Sequence, residues 1–219
     1  MTKKQLVVLV GVLLLASPVA FANDMAVNDT NPISGSWDLQ LTMTGDSTPA
    51  YVETDSPIAE PGISIEFKLM VTDLDMGGSS GMRNLRVVKG LSTFPAPGAV
   101  GMEHMVLFLK RPFDGSSNYR IRLMTGTDAG FFTSCGEGFF AIPNVAKTVR
   151  IEWVTGTGAW TNDARCSLFI NDVLVGEQTT SNFQDYNVDA VRFGIFQPTV
   201  PAEGSGSYQV DDVVLTRLP

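Results

Sequence analysis

Apolar side chains in this chain recur at every second position. From Trp37 through Leu39, Leu41 and Met43, and again through Ile63, Ile65, Phe67, Leu69 and Val71, oily residues alternate with polar ones. The same rhythm returns in Leu85 and Val87, in Tyr119, Ile121 and Leu123, in Val149, Ile151 and Trp153, and in Val191, Phe193 and Ile195. Successive side chains of an extended strand point to opposite faces, so a period of two means strands with one buried face and one wet face. Helical stripes at i, i+3 and i+4 are hard to find. Turn formers sit between the runs. Asp114-Gly115-Ser116-Ser117-Asn118 separates the run Met105 to Leu109 from the run Tyr119 to Met124 and predicts a hairpin. Asn171-Asp172, between Cys166 to Ile170 and Val173 to Gln178, predicts a tighter one.

Many short strands separated by Gly, Pro, Asn and Asp clusters predict an all-β fold: two antiparallel sheets packed face to face, with no helical layer. One wet face per sheet explains why Glu66, Lys68, Arg120, Arg122, Arg150 and Glu152 interleave with core residues. No internal repeat is visible, and the Gly- and Pro-rich stretches Asp75 to Gly81 and Phe94 to Gly98 read as loops.

The first 22 residues read differently. Lys3 and Lys4 precede the apolar run Leu6 to Leu15, and Ala20-Phe21-Ala22 forms a small-x-small cleavage site, the pattern of a secretory signal peptide cut after Ala22. Residues 23–34 are then expected as a flexible leader and 35–219 as a single β-sandwich domain in the bacterial periplasm or outside the cell. The apolar core of the signal lacks the length of a membrane span, and no later stretch approaches the ~20 consecutive apolar residues a span requires. No cysteine follows the cleavage site to carry a lipid. Removing 22 of 219 residues leaves 197; of 15 basic and 23 acidic side chains only two lysines are lost, so the net charge moves from −8 to −10. Such a balance repels nucleic acid.

Cys135 and Cys166 are the only cysteines, and an exported pair is expected to oxidise. A disulfide closing a loop of about 30 residues contributes on the order of 3 to 4 kcal/mol through the unfolded state. His104 is the sole histidine and has no partner spacing of the H-E-x-x-H kind, so it reads as an ordinary strand residue rather than a zinc ligand or catalytic base.

The last 70 residues carry a resemblance. Arg150-Ile151-Glu152-Trp153 ends a strand, Leu168-Phe169-Ile170-Asn171-Asp172 makes a hairpin, Val191-Arg192-Phe193-Gly194-Ile195 follows, and Tyr208-Gln209-Val210-Asp211-Asp212-Val213-Val214-Leu215 closes the chain. This order resembles the C-terminal half of LamG-like, concanavalin A-like lectin/glucanase domains, with Asn171-Asp172 in place of the commoner Asp-Gly turn. The resemblance implies a jelly-roll sandwich. It does not imply one activity, because such sandwiches host lectins, adhesion modules, glycosidases and lyases alike.

Catalysis has little to work with in this sequence. Retaining glucanases of this fold use carboxylates at alternate positions, as in E-x-D-x-x-E, to bring two carboxyl groups about 5 to 5.5 Å apart. The nearest approach is Asp73-x-Asp75, where a strand runs into a Gly-rich loop, and Glu66 stands alone on its strand face. Domains resembling this one often hold Ca²⁺, which wants six to eight oxygens. Asp212, with loop carboxylates, is therefore the candidate ligand for a structural Ca²⁺. Asp211 and Asp212, adjacent in a strand, are expected to point to opposite faces.

For glycans, exposed aromatic rings stack on sugar CH faces while polar groups reach hydroxyls. Trp160, in Gly156-Thr157-Gly158-Ala159-Trp160-Thr161-Asn162-Asp163, is the leading candidate, with Asn162 and Asp163 beside it. Trp37 and Trp153 are expected in the core, and one ring of each pair Phe131-Phe132 and Phe139-Phe140 under the disulfide loop. If the strands bearing Arg120, Arg122, Arg150 and Lys68 neighbour one another, they would form a basic face suited to anionic polysaccharide. The ordinary expectation is that these charges pair across strands with Glu66 and Glu152. The sequence thus points to a non-catalytic, carbohydrate-binding module. A structural or adhesion protein that contacts other proteins or itself is the alternative, and a polysaccharide-cleaving enzyme the second alternative.

Overall fold

A computed structural model describes residues 23–44, 49–71, 73–75, 84–92, 102–111, 119–127, 132–157, 161–181, 187–196 and 204–219. The expected class is what forms: two antiparallel seven-stranded sheets and, among the described residues, no helix. The first sheet comprises β1 (Asp24–Asn28), β2 (Asp38–Met43), β4 (Gly62–Val71), β10 (Lys147–Val154), β11 (Ala164–Ile170), β12 (Val173–Ser181) and β14 (Gly206–Arg217), in the order β1-β2-β14-β4-β10-β11-β12. The second comprises β3 (Ala50–Glu60), β5 (Asn84–Ser92), β6 (Met102–Lys110), β7 (Tyr119–Gly126), β8 (Phe132–Ser134), β9 (Phe140–Ile142) and β13 (Val188–Phe196). Its order is β3-β13-β5-β6-β7-β8, with β9 also on the free edge of β7.

The period-two runs place their apolar members between the sheets. Ile63, Ile65, Phe67, Leu69 and Val71 of β4 face Leu107, Leu109, Ile121, Leu123, Val191 and Phe193 of the opposite layer in one cluster of buried side chains. Each such side chain contributes roughly 1.5 to 3 kcal/mol by leaving water. Polar ties cross the core as well. The Tyr208 hydroxyl donates to the Gly194 carbonyl at 2.8 Å, and the Tyr119 hydroxyl to Leu74 at 2.8 Å. Phe67 meets Phe193 edge-on at 5.3 Å. The expected disulfide joins Cys135, just after β8, to Cys166 of β11, so it links the two layers.

The Asn171-Asp172 hairpin forms as read. Both residues are left-handed, with φ of 49° and 62°, which a tight turn between twisted strands requires. The runs Met105 to Leu109 and Tyr119 to Met124 pair as β6 and β7, with Lys110 opposite Arg120.

Three expectations give way. The segment read as a leader instead supplies β1, which pairs along its whole length with β2. Its continuation is fastened by Ser34, whose backbone amide donates to Asp211 at 2.9 Å. Trp37 is 61 % exposed rather than core, because it precedes β2 and lies beyond the ladder that carries Leu41 and Met43 inward. Asp211 and Asp212 do not point to opposite faces. One extra residue on β14 between Asp211 and Val214 forms a bulge, and Asp212 turns left-handed with φ of 49°. The Ser34 hydroxyl then lies within hydrogen-bond distance of both carboxylates, at 2.7 and 2.9 Å, and can donate its one proton to either. The assignment of residues 1–22 as a signal peptide lies outside the described residues.

Candidate functional site

Trp160 lies outside the described residues; its neighbours do not. Asn162 is exposed and left-handed, with φ of 53°. Asp163 accepts from the Thr157 amide at 3.0 Å, the Thr157 hydroxyl at 2.5 Å and the Thr161 hydroxyl. These bonds, those from the Thr157 and Thr161 hydroxyls foremost, stabilise the charged carboxylate and hold it at about 2. Asp163 thus closes its own loop.

Asp212 meets the Lys68 ammonium at 2.6 Å besides Ser34, and its carboxyl is held below the usual range, first by the hydrogen bond from Lys68. Among the described residues, no three His, Cys, Asp or Glu side chains gather in a way that could hold a metal ion. A lysine ammonium occupies the position at Asp212 that a cation would take. Of the two other carboxylates considered, Asp73 accepts from the Ser207 amide at 3.3 Å, and Glu66 faces Arg150 at 3.7 Å.

The four cations that would form one basic face if their strands were neighbours divide between the layers. Lys68 and Arg150 belong to β4 and β10 of the first sheet, Arg120 and Arg122 to β7 of the second. The ordinary cross-strand pairing holds on the first sheet. Arg150 contacts Glu152, lies 3.7 Å from Glu66 and 3.9 Å from Asp172, and covers the Phe169 ring at 3.8 Å.

The second sheet assembles a different surface. In β7, Tyr119, Ile121, Leu123 and Thr125 turn inward, which sends Arg120, Arg122 and Met124 to the outer face. The β6–β7 register sets Lys110 opposite Arg120 and Phe108 opposite Arg122. On the other side of β7, Phe140 pairs with Ile121 and turns toward the core, so the alternation brings Phe139 out beside Arg122. Phe139 can reach that place because Gly136 and Gly138, at φ of 85° and 86°, turn the chain between β8 and β9. Its ring lies under two cations, with the Lys110 ammonium 4.0 Å and the Arg122 guanidinium 5.3 Å from its centre.

Further along the same face, Arg86 and Lys89 of β5 share Glu103, with Arg86 at 2.9 Å, and Arg192 of β13 contacts Glu53. Rings lie beneath these cations too: Phe108 under Arg86, Phe196 under Lys89 and Tyr51 under Arg192, at 5.7, 4.6 and 4.6 Å. Neither Lys110 nor Arg122 has a carboxylate partner among the described residues; Arg122 donates to the Ser134 hydroxyl at 3.0 Å. Lys110 is only 4 % exposed. Burial first, then Arg120 and Arg122, push its ammonium below the ordinary lysine range.

Arg120, Arg122 and the Phe139-Phe140 pair, one ring of which packs on the core, are legible in the sequence; Lys110 was not singled out. A signal for Lys110 was there: a hairpin centred on Gly115 puts positions 110 and 120 opposite each other. The position of Phe139 depends on β9, a three-residue strand too short to show a period.

No family model and no curated protein matches the sequence. Solved structures do match in fold. One is a mutant of alginate lyase Aly36B in complex with alginate trisaccharide, 13 % identical, covering 83 % of this chain and 82 % of that one, with a TM-score of 0.56. Alginate lyase vAL-1 from Chlorella virus is 9 % identical over 90 % of both chains, with a TM-score of 0.56. The ligand-binding domain of botulinum neurotoxin serotype D, in complex with N-acetylneuraminic acid, is 15 % identical over 91 % of this chain and 44 % of that one, at 0.53. These likenesses define the class as a β-sandwich of the kind found in carbohydrate-active and carbohydrate-binding proteins; at such identities they define the fold alone.

Proposed function

We propose that this protein is a non-catalytic carbohydrate-binding module, exported by its N-terminal signal to the periplasm or beyond. The observation that carries the reading is the outer face of the second sheet, where five cations lie over four phenylalanine and tyrosine rings on rigid strands. Of these rings, Tyr51 is exposed and Phe108 and Phe139 half-buried, so they offer stacking to sugar CH faces, and the half-buried guanidiniums of Arg86, Arg122 and Arg192 donate to hydroxyl, carboxylate or sulfate oxygens. The fold neighbours with bound alginate trisaccharide and N-acetylneuraminic acid support a sugar-directed role. So does the resemblance of the C-terminal strands to LamG-like, concanavalin A-like domains.

Binding is favoured over cleavage because Glu103 and Glu53 on this face are each held by cations, which leaves no free acid–base pair of the glycosidase kind on it among the described residues. A glycan array probed with the mature protein tests the reading. Retention of at least one polysaccharide class without release of reducing or unsaturated ends supports it, whereas an array without hits contradicts it. The loop of Trp160, Asn162 and Asp163 is a second contact region of the same module; a Trp160→Ala variant with unchanged binding would remove it. The alternative of a self-assembling or adhesive protein draws on the edge strand β12, where Val173 and Leu174 are exposed. Light scattering that finds only monomer counts against it.

A further inference from the structure

Exposed apolar side chains gather at one corner of the sandwich. Past its bulge, β14 continues beside β4 from Val214 to Arg217, but β2 has already ended, so among the described residues that stretch has no strand on its other side. There the layers part into a cleft of about 460 Å³, lined by Val213 and Leu215 of β14, by Val52, Glu53 and Thr54 of β3, and by Phe193 of β13. Val52, Val213 and Val214 are 37, 44 and 52 % exposed. Trp37, 61 % exposed, stands at the same corner: Leu39 pairs with Val210, and the two chains run on from that pair to Trp37 and Val213. Grouped apolar exposure of this kind marks a contact site.

The segment that carries Trp37 is held in place. The Ile33 amide donates to Asp38 and the Ser34 amide to Asp211, both at 2.9 Å, and the Gln209 side-chain amide donates to the Asn31 carbonyl at 3.0 Å. A ring exposed on a fixed support loses little entropy on contact. Charge at the corner is already compensated, since Arg192 contacts Glu53 and Lys68 meets Asp212 at 2.6 Å. Apart from the Thr54 hydroxyl, the cleft presents mainly hydrocarbon side chains. Such a corner suits an uncharged ligand with one ring face to stack and one small apolar group to bury.

The geometry points to Trp37 and the cleft of Val52, Phe193, Val213 and Leu215 as a binding site for a neutral glycan whose sugar carries a methyl group, as an acetamido or a 6-deoxy substituent. This rests on the carbohydrate-binding reading and gives the module a site apart from the outer face of the second sheet. The sugar CH face stacks on the indole. Its methyl group enters the cleft, where a hydroxyl would lose water without gaining a partner. The open side of β14 is also an edge that an extended peptide could join. The fixed, exposed indole, which strand addition does not use, favours the sugar.

Fluorescence and calorimetric titrations of the mature protein with chitotetraose, a rhamnose oligosaccharide, cellotetraose and an alternating threonine–valine hexapeptide test the site. Chitotetraose, the rhamnose oligosaccharide or both should bind about tenfold more tightly than cellotetraose. Which of them acts tells an acetamido ligand from a deoxy one. Trp37→Ala should weaken that binding about tenfold and remove most of the fluorescence change. Val213→Asn should bring the affinity down to that for cellotetraose, while Val173→Ala on the far edge strand leaves it unchanged. Trp37, Val213 and Val173 are all exposed, so each variant is expected to unfold at close to the wild-type midpoint. Added salt should leave the affinity unchanged, because the ligand carries no charge. Cellotetraose binding as tight as that of the methyl-bearing sugars, or binding undiminished in both Trp37→Ala and Val213→Asn, overturns the site and leaves the carbohydrate-binding reading standing. Binding confined to charged glycans has the same meaning. A response to the hexapeptide alone, or no binding to any glycan, overturns both.

Discussion

Arg150 and Lys110 lie on opposite outer faces of the sandwich, Arg150 in the middle of β10 and Lys110 at the end of β6. Each covers a phenylalanine ring, Phe169 at 3.8 Å and Phe139 at 4.0 Å. Their electrostatic settings are reversed. Arg150 is surrounded by Glu66, Glu152 and Asp172, whereas Lys110 is flanked by Arg120 and Arg122. The first arrangement is complete as the chain folds, and it stabilises a sheet. In the second, the Lys110 ammonium and the Arg122 guanidinium meet no carboxylate among the described residues. What the difference teaches is that the same ring-and-cation contact can sit in opposite electrostatic settings, so the contact alone does not mark a binding surface.

His104, by contrast with both, shows what the space between the sheets does to a cation. It is 4 % exposed, its ring stacked on Trp153 at 6.2 Å, and burial pulls its pKa from 6.5 to about 4, with Asp189 opposing. The folded protein therefore holds His104 neutral through a range in which the unfolded chain protonates it. Stability is full above about 6.5 and falls as the pH drops toward 4, by up to ~3 kcal/mol from a shift of this size. Urea titrations at a series of pH values should show this slope, and a His104→Phe variant should flatten it. An unchanged slope would mean that a cation is tolerated between the layers.

Arg150→Met comes next in size. It leaves Glu66 and Glu152 facing each other without their shared cation and should lower stability by about 1 kcal/mol, allowing for solvent screening of the half-exposed carboxylates. Lys110→Met should act in the opposite direction, raising stability at pH 7 by a few tenths of a kcal/mol up to ~1 kcal/mol as the like-charge crowding is relieved. The sign reverses with the surroundings of the cation, although the chemistry of the two substitutions is closely similar. If both variants lose stability, the two settings are not opposites.

The smallest effect is in the alkaline range. Because Lys110 ionises below 10.5 in the folded protein, the folded state sheds its proton before the unfolded chain does. Stability gained from this group rises with pH between its lowered pKa and 10.5. The advantage of Lys110→Met over the wild type should therefore shrink as pH climbs through that window. Taking the difference between the two proteins cancels the opposing contribution of Tyr208 and Tyr119, whose raised values reduce stability above pH 10 in both.

Much of this architecture was legible because it rests on period-two patterning. The runs in β2, β4, β7, β10 and β13, the turn at Asn171-Asp172 and the link between Cys135 and Cys166 follow from side-chain alternation and cysteine count. The strands that escaped notice share a reason. β3 carries Pro57 and mixes polar and apolar residues, as an edge strand with a single neighbour can. β1 is mostly exposed, and β8 and β9 have three residues each. The candidate site was legible only in part for a related cause. Arg120 and Arg122 announce themselves by alternation, but which cations share a face depends on which strands are neighbours, and that order is set by long-range pairing. Lys68 and Arg150, matched with them by pattern, ended in the other sheet. The bulge that brings Asp211 and Asp212 together on Ser34 leaves no trace in hydrophobic periodicity.

Thermal unfolding of the wild type with and without a panel of neutral and acidic oligosaccharides bears most directly on the proposal that this sandwich binds carbohydrate. A ligand that binds only the folded state raises its midpoint by mass action. The account predicts that at least one oligosaccharide class raises the midpoint by several degrees. A midpoint indifferent to every one of them would contradict the claim.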